Sequence, residues 1–421
     1  MNNITFKHIG IALLGAALFS ACNDVVDVNF PDRYSNHGAP TITGIYDVQD
    51  TGYVSALSGG TLNQMLRIKG SNLANVKKIT FNGLDVDIRQ VYAEANESFV
   101  KIPRKIPENV TDTLVYETNE GRTALYFPVT IPHVKLNGLV NEFALQGSKV
   151  QLSGDYFDLY NFNDTTESSP VSITITNSAE GYSKTLHTDS CTEDYTSIRI
   201  PKDCPDNSLI TFRWDEMGQQ MSKSIPYRMT SALLFGDFSG DLGWWNDWGK
   251  NLVTDGTKSG DPQTLGYPYL RITGTFDSWS WNSTGIGCNW PSQSFTDHPE
   301  NYVLKFEVCT NSATPFADYG DNGAAGTQNG GYCFDFNTSG VTRHQWDPVS
   351  SGLRNTYGKW VTVSIPLESL CEVKQDDGTI KHVLPNEGSW SALEFVMQPN
   401  NNDGWTVDHS FGQFRIEPKN Y

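Results

Sequence analysis

From about residue 41 onward the apolar residues of this chain recur at alternate positions, in short runs broken by Gly, Asn, Asp and Pro, and a helical period is hard to find anywhere past residue 22. Met65-Leu66-Arg67-Ile68-Lys69-Gly70 and Val76-Lys77-Lys78-Ile79-Thr80-Phe81 alternate as strands, the second leading into an Asn82-Gly83 hairpin signal. Further on, Tyr302, Leu304, Phe306 and Val308 share one face while Val303, Lys305 and Glu307 share the other. Tyr332, Phe334 and Phe336 alternate with Cys333 and Asp335, and Leu393, Phe395 and Met397 with Glu394, Val396 and Gln398. In each case the first set is the expected core face. With runs at 269–275, 360–367 and 411–417, at least seven strands fall in the last 190 or so residues, joined by long Gly/Asn/Asp loops. The expected fold is all-β, with two sandwiches in series followed by a larger, jelly-roll-like sandwich.

The expected domains follow from these breaks. Residues 1–22 read as an export signal, in which Lys7 and His8 precede an apolar run from Ile9 to Phe19 and then Ser20-Ala21-Cys22. That run is too short to span a bilayer. Residues 23–40 are polar with Pro31, Gly38 and Pro40, a tether. Residues 41–132 form the first sandwich and 133–230 a weaker copy, in which Val150-Gln151-Leu152-Ser153-Gly154-Asp155-Tyr156-Phe157 and Ser197-Ile198-Arg199-Ile200-Pro201 echo phrases of the first. Tyr156, Phe157, Tyr160 and Phe162 cluster in a loop of that copy, where packing is the expected use. Residues 231–421 form the last domain.

Composition narrows the function. A net charge of −18 argues against nucleic acid or an anionic membrane surface as partner, since both need a positive footprint. Six cysteines remain after Cys22, and none stands in a CxxC or Cys/His spacing, so no metal or other cofactor is expected. Cys191 and Cys204 could close a loop, the other four allow three pairings, and all six could equally be buried thiols. Asp318-Tyr319-Gly320-Asp321-Asn322-Gly323 faintly suggests a calcium loop but lacks the later bidentate Glu, so a plain turn is expected.

Ten of eleven tryptophans lie after residue 240, and six of them, Trp244, Trp245, Trp248, Trp279, Trp281 and Trp290, stand in polar loop contexts. An indole so placed either caps a core or stacks on the C–H face of a sugar ring while neighbouring amides and carboxylates take the hydroxyls. Trp279 and Trp281 are two apart, so in an extended segment both point the same way, about 6.5–7 Å from each other, a rough match to successive sugars of a linear chain. Trp290 would add a third contact, Trp244, Trp245 and Trp248 a wall, and Trp346 is a further candidate in its polar surroundings. Trp360, Trp390 and Trp405 begin strands beside apolar runs and are expected to pack. The reading is of a protein that holds a neutral glycan, with residues 231–421 sufficient to bind it.

Several of these phrases resemble known families. Ser20-Ala21-Cys22 resembles a bacterial lipobox, which implies lipidation at Cys22, and Asn23-Asp24-Val25-Val26-Asp27 resembles the signals that send Bacteroidetes lipoproteins to the outer face of the outer membrane. Pro40-Thr41-Ile42-Thr43-Gly44, Ile68-Lys69-Gly70-Ser71-Asn72-Leu73 and Val100-Lys101-Ile102-Pro103 resemble the IPT/TIG immunoglobulin-like family. Together with Leu233-Leu234-Phe235-Gly236-Asp237-Phe238 and Gly358-Lys359-Trp360-Val361-Thr362-Val363-Ser364-Ile365-Pro366-Leu367, the arrangement resembles the surface glycan-binding lipoproteins of Bacteroidetes polysaccharide-utilisation systems whose last domain is a xyloglucan-binding domain. The resemblance implies non-catalytic capture of a β-linked polysaccharide by a monomer beside an outer-membrane porin complex. Two rival readings stand beside it: a jelly-roll glycoside hydrolase or lyase, and a protein-binding adhesin. The hydrolase needs paired carboxylates, for which Glu307, Asp335 and Glu394 are the candidates if they share the face turned away from the core.

Overall fold

The computed structural model describes residues 32–163, 168–238, 252–276, 286–316, 331–336, 344–390, 392–398 and 405–421. The chain is all-β. Among the described residues the one α-helical turn is Gln293–Asp297, and no helix is long and apolar enough to cross a membrane. Two compact units divide at Pro132 and His133.

The first unit is an Ig-like sandwich of two four-stranded sheets. One runs Thr41–Asp47, Met65–Ser71, Glu97–Lys101, Tyr92–Glu94, and the other Leu84–Asp85, Val76–Phe81, Thr113–Thr118, Gly121–Tyr126. The alternating residues Leu66, Ile68, Ile79, Phe81, Val100 and Leu114 fill the space between them. Asn82 and Gly83 turn with φ of 50° and 78°, as a two-residue hairpin with right-handed strand twist requires. Asn82 is held there because its side-chain carbonyl accepts from the amides of Thr111 and Asp112.

The second unit opens with the same topology. Lys135–Leu139, Lys149–Asp155, Tyr195–Arg199 and Thr188–Cys191 form one sheet, and Tyr182–Leu186, Ser172–Asn177, Ser208–Glu216 and Gln219–Tyr227 the other. The likeness to the first sandwich extends to its irregularities. The first strand of each copy bulges, between Ile42 and Gly44 and between Leu136 and Gly138. The facing strand of each carries a glycine whose Cβ would lie 1.9 Å from a carbonyl oxygen, Gly70 against Thr41 and Gly154 against Lys135. The bulge brings the two backbones so close that no side chain fits. Phe157, Tyr160 and Phe162 are buried, and Phe162 packs on Phe212 and Trp214, so this loop cluster is core.

Beyond residue 230 the chain builds a larger sandwich. Its five-stranded proximal sheet runs Val253–Thr254, Tyr269–Phe276, Trp405–Pro418, Tyr302–Thr310, Val361–Pro366, and its four-stranded distal sheet Ile286–Cys288, Leu393–Gln398, Gly331–Phe336, His344–Trp346. Leu304, Phe306 and Val308 meet Tyr332, Phe334, Phe336, Leu393, Phe395 and Met397 between the sheets.

The opposite face of Tyr302–Thr310 is buried as well, because the second Ig-like domain covers it. Arg415, fully buried, donates to Glu307 (2.6 Å), Glu417 (2.7 Å) and, across the junction, Glu142 (2.6 Å). Lys305 bridges Glu142 (2.8 Å) and Glu417 (2.9 Å). The Thr362 amide donates to the Val140 carbonyl (2.7 Å), and the Glu142 amide to the Thr362 hydroxyl (2.8 Å). Phe143, Leu265, Tyr269, Cys309 and Trp360 form an apolar cluster of their own at this junction. Three carboxylates and two cations out of water are tolerable only when hydrogen-bonded this completely.

None of the six described cysteines forms a disulfide, and all but Cys191 are buried. The five buried ones serve as small core residues, and burial pushes Cys288 and Cys371 up to about 12 and Cys309 to about 11.

Candidate functional site

Four of the connections between the two sheets of the C-terminal sandwich start and finish at one end of it. Phe276 pairs with Trp405, Thr310 with His409 and Val308 with Val361 in the proximal sheet. Gly331 pairs with Gln398 and Ile286 with Phe395 in the distal sheet. The links from 276 to 286, 310 to 331, 346 to 361 and 398 to 405 therefore all leave and re-enter at this end. Beneath it stands an aromatic pile in which Tyr332 stacks on Phe395 and packs against Phe411, and Trp346 meets Phe306 edge-on at 5.0 Å. His409 is clamped into this pile, its Nδ1 2.9 Å from the Tyr332 hydroxyl and its Nε2 2.7 Å from the Thr314 carbonyl. Burial pulls its pKa down to about 4, against the Thr314 carbonyl and Asp408, which favour the charged form.

The seven tryptophans singled out in the sequence divide between two places. Trp244, Trp245, Trp248, Trp279 and Trp281 lie outside the described residues; the last two belong to the link from Phe276 to Ile286. Trp290 and Trp346 are corrected to core positions, at 1% and 4% exposure. Trp290 meets Phe295 and Phe336 in perpendicular ring contacts at 5.9 and 5.7 Å, and its N–H donates to Thr296. Polar neighbours in sequence misled here, because Trp346 is inward-facing by strand parity, opposite Tyr332. Of the tryptophans expected to pack, Trp360 does, against Tyr269 at 4.9 Å. Trp390 does not: it is 52% exposed, on a turn that Gly388 closes with Trp290. Cys22 and residues 318–323 also lie outside the described residues.

The three candidate carboxylates do not share a face. Glu307 belongs to the proximal sheet and is consumed by Arg415 and the Thr362 hydroxyl. Asp335 and Glu394 pair across adjacent strands on the outer face of the distal sheet, the side the second Ig-like domain does not cover, and Glu394 is only 5% exposed. Among the described residues no group of His, Cys, Asp and Glu is placed to hold a metal.

Residues 227–418 match the family described as surface glycan-binding protein B xyloglucan binding domain. That match spans the C-terminal sandwich. Among solved structures the chain is similar to the surface glycan-binding protein PbSGBP-B from Prevotella bryantii, at 20% identity over 91% of this chain and 100% of that one, with a TM-score of 0.45. It is similar also to SGBP-B from a complex xyloglucan utilization locus in Bacteroides uniformis, at 17% identity over 90% of this chain and 99% of that one, with a TM-score of 0.45. A third is the SGBP-B of a Bacteroides ovatus mixed-linkage glucan utilization locus in complex with a mixed-linkage heptasaccharide, at 12% identity over 85% and 74% of the two chains and a TM-score of 0.29. No curated protein matches the chain.

Proposed function

We propose that this protein captures a neutral β-linked polysaccharide, xyloglucan or another β-glucan, at the cell surface, without cleaving it. The observation that carries the reading is the xyloglucan-binding-domain match over the one domain in which tryptophan is concentrated. Its geometry agrees. The second Ig-like domain covers the outer face of Tyr302–Thr310 in the proximal sheet, and the end of the sandwich where four of the links start and finish is the proposed place for a ligand. Trp279 and Trp281, with Trp244, Trp245 and Trp248, are the proposed stacking residues, and Asp335 and Glu394 the acceptors for sugar hydroxyls. In this reading acyl chains on Cys22 anchor a monomer to the outer membrane with its folded part outside, beside a porin-type transport complex. Trp281→Ala is expected to weaken glycan binding by at least about 2 kcal/mol, as loss of a central aromatic anchor does, with little change in melting temperature. Calorimetry and thermal melts on one preparation check this; an equal loss of folding stability assigns Trp281 to the core instead.

One observation favours a second reading. Directly opposed residues of antiparallel strands have Cβ atoms about 4.5–5.5 Å apart, so Asp335 and Glu394 stand near the separation a retaining glycosidase needs, about 5 Å. Reducing-end release from xyloglucan that Glu394→Gln abolishes would make the protein an enzyme.

A further inference from the structure

The second Ig-like domain and the C-terminal sandwich leave a cleft of about 620 Å³ beside their shared ion network, within the range of about 300–1,000 Å³ usual for small-molecule sites. Asn141, Leu145 and Gln151 line it from the Ig-like side, and Gln263, Leu353 and Trp360 from the sandwich. Among the described residues its ionisable lining groups are Lys149 and Lys359, and Lys149 is engaged by its own domain, donating to Ser190 (3.2 Å) with Asp189 at 4.0 Å. Amides, hydroxyls, aliphatic carbon and the Trp360 indole make up the rest of the described lining. That mixture suits an uncharged, hydroxyl-rich ligand.

Several of these amides are unspent. Gln151 and Gln263 bond through their backbone carbonyls, to the Val140 amide (2.8 Å) and the Trp360 indole (2.6 Å), and among the described residues their side-chain amides have no protein partner. Asn141 uses its side-chain carbonyl to accept from the Phe143 amide (2.9 Å), which leaves its NH₂ group.

Tyr357 points to the same ligand independently. Its neighbours Thr356 and Gly358 both line the cleft, yet its own ring is 71% exposed and its φ is 53°. A left-handed backbone costs a bulky residue about 1–2 kcal/mol, and nothing inside the fold is gained from an exposed ring. The turn that imposes it is fixed by Thr310, whose carbonyl accepts from Gly358 (2.9 Å) and whose hydroxyl accepts from Thr356 (2.8 Å). A strained residue that packing does not explain is a candidate for ligand contact. Gly358 also borders a smaller cavity of about 180 Å³ lined by Thr310, Asn311 and Asp408, and Thr310 ends its strand at the end of the sandwich where four of the links start and finish.

We propose that this cleft, with Tyr357 at its lip, is a second saccharide subsite that takes a further stretch of the polysaccharide held by the C-terminal domain: Tyr357 stacks on a sugar ring while Gln151, Gln263 and Asn141 bond its hydroxyls. This rests on the glycan-binding reading above. The test is calorimetry on the full chain with xyloglucan and mixed-linkage β-glucan, each as polymer and as heptasaccharide. Tyr357→Asn removes the ring while keeping a residue that accepts φ near 53°, and the Gln151→Ala/Gln263→Ala double variant removes the amides. Each is expected to weaken polymer binding about five-fold, to leave heptasaccharide affinity unchanged, and to keep the melting temperature. Polymer affinity unchanged in both variants overturns this proposal alone. Failure of the unaltered chain to bind any of the four probes overturns it together with the reading beneath it.

Discussion

His409 shows how a single buried side chain ties the loop end of the C-terminal sandwich to the solution. Its imidazole is fully enclosed, with the Tyr332 hydroxyl on one nitrogen and the Thr314 carbonyl on the other. An unfolded chain protonates this histidine below about pH 6.5, whereas the folded protein, with a pKa of about 4, stays neutral until much lower pH. Its contribution is therefore complete above about pH 6.5 and is lost as pH falls toward 4. Urea unfolding between pH 7 and pH 4 is expected to show a decline of up to about 3 kcal/mol from this residue, and His409→Gln to remove that part of the slope. A second, lower window belongs to Glu417. Burial pushes its carboxyl up, but Arg415 and Lys305 outweigh burial and hold it below the ordinary glutamate value, so its stabilising charge disappears only as pH drops through that lowered value.

Among the elements, the two Ig-like copies share a device that neither alternation nor propensity encodes: a bulged first strand passing over a glycine of the second. Gly154→Ala would set a methyl group against the Lys135 carbonyl and the Phe157 ring, and is expected to cost about 1–3 kcal/mol in chemical denaturation. The echo of strand, glycine and turn was legible in sequence because the glycine has to be there. The alternation in 302–310 likewise identified Leu304, Phe306 and Val308 as core. It could not show that the other face is buried too, because the partner of Arg415 in the Ig-like domain, Glu142, lies 273 residues earlier. A charged residue reads as solvated until its counter-ions are found in space. For the same reason Glu307 looked available for chemistry and is spent on structure, while Trp290 and Trp346 looked exposed among polar neighbours and are core.

For the molecule as a whole, the ion network makes residues 133–421 the smallest unit that keeps the C-terminal sandwich's buried charges paired. Cutting at residue 231, as sequence alone would advise, removes Glu142 and uncovers Lys305, Glu307, Arg415 and Glu417. The 133–421 fragment is expected to melt close to the full chain's C-terminal transition and to keep its glycan affinity, whereas 231–421 should melt lower or aggregate; calorimetric scans of both check this. The net charge of −18 adds a constraint, since a neutral ligand releases few counter-ions and its binding should be nearly flat in salt. Glycan capture is tested by electrophoresis of the full chain through native gels containing xyloglucan, mixed-linkage glucan, β-1,3-glucan, mannan, galactan, pectin or starch. Retardation in one or two of the β-glucan gels, relative to a folded control protein and unchanged by salt, is the predicted result. Migration level with the control in every gel would contradict it.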